Sequence, residues 1–459
     1  MENWCGSSIE FRENLDRDYF QRKYGGGRII RSKRNYQGVG QTAYFVRGDF
    51  MKALRIRKTL CLMLACLMMA AGLPSCSSIK PAVTTSETTQ ETKREVPKEL
   101  LNVDEQIKKL SNVQGNIWIN EDEKYKSTLG MLVSQLKGNV SLRGSLIIAT
   151  DDDVIVASGM RLKDRDGNEV DPHTTYEIGS VTKSMTAVCI MKLVEEGKVK
   201  LDDTLGDFFS EYSSCPFYSE VSKVTVRNLL RMRSGIHDFV NDPQGFWGEE
   251  TGSELVGTGL PGEENYCDFF NKYGDKIAEQ AFCKKPGFEQ GTKTEYSNTN
   301  YTLLAEIIEK KSGMSYAKFM EETVFKPCGM TDTTSMKDEH VTASIKKDAW
   351  YNPSNASKGC GDVHSSVVDL LKYHRALFGG YLLSEESMKE VMNFVDGYGF
   401  GWQQMDPWIM HGGSTPGFST FNGVLDKNGK KIYVIMCANQ GEEYVLQVIV
   451  PLSGITKQE

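Results

Sequence analysis

The chain has 459 residues, a formal net charge of −7, 39% hydrophobic residues and 25% charged ones. These are the proportions of a globular protein with a sizeable core, long enough for one large domain with extensions or for two ordinary domains. The acidic balance excludes the clustered basic face that nucleic-acid binding calls for. The six histidines (His173, His237, His340, His364, His374, His411) form no H-E-x-x-H grouping, and the 11 cysteines form no C-x-x-C pair. No metal and no cofactor is therefore expected.

Residues 1–50 are rich in Arg, Gly and Asn and hold no sustained helical or strand period. They are read as an extension outside the native protein, with translation starting at Met51. Residues 51–75 then read as a signal peptide, with basic Lys52, Arg55, Arg57 and Lys58 ahead of an apolar run from Leu60 to Ala71. About a dozen apolar residues suit a signal core, whereas a spanning helix needs roughly twenty. The run ends in Leu73-Pro-Ser-Cys76, similar to a bacterial lipoprotein cleavage box, so Cys76 is the expected lipidation site. Residues 76–98, rich in Thr, Ser, Glu and Lys, cannot bury enough apolar surface to fold and suit a tether. The implied location is the bacterial cell envelope, on a membrane facing the periplasm or the exterior.

Residues 99–459 read as one globular domain. Helical periods run over Asn102–Leu110 and Ser127–Leu136. Two apolar runs, Ser145–Ala149 and Val154–Ala157, are separated by Asp151, Asp152 and Asp153, a hairpin signature. A short strand is expected at Thr175–Ile178, broken by Gly179. An amphipathic helix follows over 180–196, with Gly197 as its stop. A short helix is expected at Val226–Met232, and a surface loop in the Gly/Pro/Glu-rich insert Asn241–Glu264. Further helices are expected at Thr299–Lys311, Tyr316–Phe325 and Ser366–Phe378, the last opened by Ser366-x-x-Asp369, similar to a capping box. Strands are predicted at Gly399–Trp402, Trp408–His411, Phe418–Leu425 and Lys431–Ala438. Strands at both ends with helices between them imply an α/β domain whose sheet is closed by distant segments, with a smaller helical lobe. Seven cysteines follow Cys76, an odd number. An oxidising compartment allows one bridge, with Cys267–Cys283 as the expected pair.

Three short elements carry the chemistry: Ser180-Val-Thr-Lys183, Tyr296-Ser-Asn298 and His411-Gly-Gly413. The Ser-x-x-Lys pattern also starts at Ser77, Ser134, Ser315 and Ser344, so alone it means little. The order of the three elements singles out Ser180 as nucleophile. Residues three apart on a helix share a face, so Ser180 and Lys183 are in reach of one another. A serine needs a neighbouring base. That base is either Lys183, with its pKa lowered by burial, or Tyr296 as a phenolate stabilised by Lys183. The bland alternatives are an N-cap serine with a solvated lysine, a packed tyrosine before a capping Asn, and a simple Gly-Gly turn.

The match extends to Glu177–Lys183, Leu193–Lys198, Val226–Leu230, Arg233–Gly235, Pro286–Gly291, Tyr296–Tyr301, Lys326–Met330 and His411–Gly417. Over roughly residues 100–440 the chain resembles the serine hydrolases that include class C β-lactamases, D-alanyl-D-alanine carboxypeptidases and esterases. The resemblance implies an antiparallel sheet flanked by helices plus a mainly helical lobe, an α/β (α+β) class, with the active site between them. It implies that Ser180 forms an acyl-enzyme, that Lys183 and Tyr296 handle protons, and that Asn298 holds the substrate amide and orients Lys183. His411, Gly412 and Gly413 would line the substrate site, and the N–H groups of Ser180 and Ser414 would form the oxyanion hole. Gly412 stands where relatives carry Thr, and His411 where many carry Lys. Both changes argue against an efficient β-lactamase; the expected substrate is a D-Ala-terminated peptide, as for a D-alanyl-D-alanine carboxypeptidase, with an esterase or weak β-lactamase as the alternative. The rival from another class is an idle cell-wall peptide or penicillin-binding lipoprotein. No G-x-S-x-G elbow supports a different hydrolase architecture.

Overall fold

The computed structural model describes residues 95–125, 143–164, 166–257, 264–335, 357–415, 417–427 and 429–439. The chain divides into two units, 1–89 and 90–459, of which the first lies outside the described residues. So do the expected signal peptide, Cys76, the tether up to residue 94 and the helix expected over Ser127–Leu136. Among the described residues no helix is long and apolar enough to cross a membrane.

An eight-stranded antiparallel sheet forms the body of the second unit. Its strands are β1 (Ser111–Gln114), β2 (Ile117–Ile119), β3 (Gly144–Thr150), β4 (Val154–Met160), β8 (Gln403–Met405), β9 (Trp408–Thr415), β10 (Phe418–Lys427) and β11 (Lys430–Ala438). They lie in the order β1-β2-β4-β3-β11-β10-β9-β8. The expected closure by distant segments occurs where β3 pairs with β11, with Ile147 opposite Ile435. A second sheet is made of three short strands, β5 (Tyr176–Glu177), β6 (Thr334–Ser335) and β7 (Val363–Ser365). Alternation along β11 serves two cores: Tyr433, Ile435 and Cys437 belong to one, Val434, Met436 and Ala438 to the other.

Helices cover the first of those cores. The helix α1 (Thr182–Glu195) was expected to be amphipathic, yet its residues from Thr182 to Met191 are all buried. It is enclosed by α2 (Asn298–Ser312) and by the short helices Tyr316–Met320 and Glu385–Val391, and a helix walled on all sides buries every face. The helix α3 (Val367–Phe378) packs on β3 and β11. Ser366 caps α3 by accepting the Asp369 N–H at 3.2 Å. Asp369 does not complete a capping box, because its carboxylate turns to the Asp332 N–H at 2.7 Å.

Two expectations need correction. The insert Asn241–Glu264 is not a loop over its described part: Pro243–Trp247 and Glu249–Gly257 are helical, and 258–263 lie outside the described residues. Asp242 caps the first by accepting from Gly245 N, Pro243 opens it, and Phe246 and Trp247 are buried. Trp247 and Phe246 stack edge-on at 4.8 Å, and Phe269 lies 5.5 Å from Trp247. Gly399–Trp402 is not a strand either. Gly401 has φ +74, and a Cβ there would lie 2.6 Å from Lys183 O. This bend packs backbone against backbone at the start of α1, and the strand begins only at Gln403.

Candidate active site

Ser180 sits in a single tight turn, Gly179–Val181, that runs directly into α1. Its side chain is half-buried, while Lys183 one turn on is fully buried. The two are joined as the spacing required, with Lys183 Nζ 3.0 Å from Ser180 Oγ. Tyr296 arrives from the loop before α2, and its O–H donates to Ser180 Oγ at 2.7 Å. An amine and a phenol drawn from two separate stretches of chain thus converge on the Ser180 oxygen.

The ammonium of Lys183 has three N–H donors and three acceptors: Ser180 Oγ, Asn298 Oδ1 at 2.8 Å and the Cys360 carbonyl at 2.7 Å. Loss of one proton would leave two donors for Asn298 and Cys360, and a lone pair facing Ser180. Burial pushes Lys183 down to about 8, against weaker opposing attraction from Cys360, Asp238 and Asp362. Burial drives the Tyr296 phenol well above its ordinary value. Of the two candidate bases, Lys183 is therefore the one nearer to accepting a proton at neutral pH.

Asn298 is oriented by Asp238, which no motif of the sequence singled out. The buried Asp238 carboxylate accepts from Asn298 Nδ2 and from Asn298 N, both at 3.0 Å. A carboxylate only accepts, so the Asn298 amide nitrogen must face Asp238 and its oxygen must face Lys183. The Asp238 carboxylate is itself held by Val240 N at 2.8 Å and Asn241 N at 3.0 Å. The only sequence signal was Ser234-Gly235 just before it. Cys360 was likewise unforeseen, because it contributes a backbone carbonyl that no side-chain motif announces.

Strand β9 closes the other side of the site. His411 is buried, its Nδ1–H donates to Gly412 O at 2.7 Å, and its Nε2 accepts the Tyr398 O–H at 3.0 Å. Burial, with Lys183 nearby, holds it down to about 3, so it is neutral. Both ring nitrogens are thus occupied within the protein, and His411 supplies no positive charge. Gly412 has open space: a Cβ there meets only Thr420 O at 3.9 Å. Gly413 has none, since a Cβ would lie 1.9 Å from Ile178 O and 3.4 Å from Ser180 N. A Cβ on Gly179 would lie 3.0 Å from Ser414 N, so β9 runs hard against the Ser180 turn and brings Ser414 N beside it. Tyr398, which the reading did not single out, stands 6.2 Å from the Tyr296 ring, centroid to centroid. Among the described residues no group of His, Cys, Asp and Glu side chains is placed to hold a metal ion.

Known proteins carry the same architecture. A penicillin-binding protein homologue from Pyrococcus abyssi, described as octameric, aligns with TM-score 0.54 and 25% identity, covering 72% of this chain and 77% of that one. The Bacillus subtilis protein described as "Putative penicillin-binding protein PbpX" is 25% identical over 342 residues, 71% of this chain and 78% of its own length. The Staphylococcus aureus protein flp is 25% identical over 334 residues, 66% of this chain, which spans 61% of that relative's length. Residues 132–447 match the family described as Beta-lactamase, and the chain belongs to that family of serine hydrolases.

Proposed function

We propose that this protein is an exported, envelope-anchored hydrolase that forms an acyl-enzyme through Ser180 on an amide or ester whose leaving end carries no carboxylate. The observation that supports the acyl-enzyme reading is the convergence of Lys183 Nζ at 3.0 Å and Tyr296 O–H at 2.7 Å on Ser180 Oγ. In the proposed cycle neutral Lys183 takes the Ser180 proton as Oγ attacks the carbonyl carbon. The N–H groups of Ser180 and Ser414 receive the developing oxyanion at the head of α1, where the helix dipole adds to them. Tyr296 gives its proton to the leaving nitrogen or oxygen as the bond breaks, and regains one from the Lys183 side. Water then repeats the sequence on the acyl carbon and frees Ser180. A pure binding module has no need of this proton apparatus.

The preference for an uncharged end rests on β9. His411 is neutral and engaged by Tyr398 and Gly412, and Gly412 lacks the hydroxyl that would bind a carboxylate. A D-Ala-terminated peptide, the substrate class expected from the family resemblance, is the second reading. It is favoured by the similarity to a penicillin-binding protein over 78% of that relative's length. A turnover panel separates the two: a short-chain ester, a D-alanine amide, a D-Ala-D-Ala peptide and a chromogenic cephalosporin. The ester and amide are expected to exceed the carboxylate-bearing pair by about tenfold or more in kcat/KM, the scale of one lost charged contact. Faster turnover of the D-Ala-D-Ala peptide would return the assignment to carboxypeptidase. Gly412→Thr, which fits the open space on β9, is expected to raise acylation by a labelled penicillin several-fold and leave ester turnover intact.

The pH profile tests the base. The active form has Lys183 neutral, and its pKa is lowered to about 8. Below that value kcat/KM should rise about tenfold per pH unit, and above it the rate should level off. A profile that falls as pH passes through 8 would show that the acting form is the ammonium, and would shift the base to another group.

A further inference from the structure

Outside the catalytic cleft, two cysteine sulphurs meet. Cys215 Sγ lies 2.6 Å from Cys283 Sγ, and both residues are half-buried. The pair is built into facing turns. Cys215 closes the turn after Ser210–Tyr212, with its N–H on Tyr212 O at 2.8 Å. Cys283 ends the helix Ile277–Phe282, with its N–H on Gln280 O at 3.0 Å. The two turns are tied by the Phe217 N–H donating to Phe282 O at 3.2 Å. Phe282 is also packed between Tyr212, with ring centroids 5.3 Å apart, and Tyr218 at 5.6 Å. The sulphurs are therefore held together by the surrounding fold, a little beyond the roughly 2.05 Å of an S–S bond. The fold brings Cys215, which the sequence did not single out, to Cys283, the cysteine expected to pair with Cys267. The side chain of Cys267 is outside the described residues.

We propose that Cys215 and Cys283 form a disulfide in the mature protein, made by exchange with an external disulfide oxidant. One thiolate of the pair attacks a sulphur of the oxidant's S–S bond and expels a thiolate. The second thiolate of the pair then attacks the resulting mixed disulfide, forms the Cys215–Cys283 bond and expels the oxidant's other thiolate. The protein loses two protons and two electrons, and one external disulfide becomes two thiols. The bond closes the stretch 215–283 at its base. That stretch carries Asp238, the carboxylate that orients Asn298 and, through it, Lys183. Closing a long stretch limits the unfolded chain more than the folded one, so the bridge protects the arrangement around Lys183 without touching substrate.

The full purified chain, reduced with dithiothreitol, desalted and exposed to oxidised glutathione, is the test. Non-reducing peptide mapping is expected to recover one peptide pair linked through Cys215 and Cys283. The oxidised chain is expected to melt about 5 °C or more above the reduced one. It should also keep Ser180 labelling through a heating step that silences the reduced form. Cys215→Ser and Cys283→Ser should each abolish the melting shift. Alkylation of both cysteines after oxidation, or a linked peptide joining Cys283 to Cys267, would overturn the proposal. Peptide mapping of the unmutated chain reads the bond directly and is independent of folding in the variants. It is also independent of whether the Ser180 assignment holds, since no step of it requires turnover.

Discussion

Ser180→Ala is expected to abolish labelling by a fluorescent penicillin or a fluorophosphonate, and to lower ester turnover by about 10⁴-fold or more, the scale seen when a serine nucleophile is removed. The loss should be chemical and not structural. Ser180 is half-buried, and the cap positions of its turn and of α1 are held by Ile178 and Val181, not by Ser180. Its Oγ is one of three acceptors around Lys183, and the other two, Asn298 Oδ1 and Cys360 O, remain. Alanine is also a favourable residue at the start of a helix that is otherwise buried. The melting temperature should therefore stay close to that of the unmutated chain, and circular dichroism with a thermal melt provides the control. A folded Ser180→Ala chain that still turns over ester within about tenfold of the parent would remove the nucleophile assignment. It would also send the search to the other Ser-x-x-Lys sites.

What was readable from sequence was readable because it was local. Ser180 and Lys183 lie one helical turn apart, so their shared face follows from spacing alone. The β3–β4 hairpin follows from alternating apolar runs around three aspartates. The role of Asp238 was not readable in this way. It depends on a contact across sixty positions to Asn298, and the local sequence His237-Asp238 shows only a turn. Tyr398 was hidden beside Gly399–Trp402, which read as a strand but holds Gly401, where a bend presses against Lys183 O. The insert 241–264 was mistaken for a loop because Gly and Glu dominated its composition. The decisive signals were the Asp242-Pro243 start and the aromatic pair Phe246-Trp247, which find partners only in the fold.

The site also separates two properties that a motif match runs together. The proton apparatus is complete: a buried amine, a phenol and an orienting amide locked by a carboxylate. On the substrate side His411, where the family resemblance led to an expected Lys, is a neutral imidazole bound to Tyr398. In the proposed cycle chemistry and specificity are set on different elements, the first on the Gly179–Val181 turn, α1 and the loop before α2, the second on β9. Gly412 has room for another side chain while its neighbour does not, because successive residues of β9 face opposite sides and Gly413 faces the Ile178–Ser180 turn.

Gly413→Ala is expected to lower kcat by about 10²–10³-fold, with a smaller change in KM. The added Cβ would sit 1.9 Å from Ile178 O and 2.9 Å from Ile178 C. No rotamer relieves such a clash, because both partners are backbone. Strand β9 would have to move away from the Ile178–Ser180 turn by an ångström or more, or the turn would have to move with Ser180 on it. Either shift separates Ser414 N from the position it holds beside Ser180, and an oxyanion donor displaced by about 1 Å loses most of its effect. Binding depends less on that distance than the transition state does, so kcat carries the loss. Gly412→Ala is the matched control, one residue along the same strand, where the new Cβ meets only Thr420 O at 3.9 Å. Its turnover should stay within about threefold of the parent, the range of substitutions that disturb no packing. Equal loss in both variants would mean that β9 tolerates no change at all, and parental kcat in Gly413→Ala would mean that Ser414 N takes no part in the oxyanion hole.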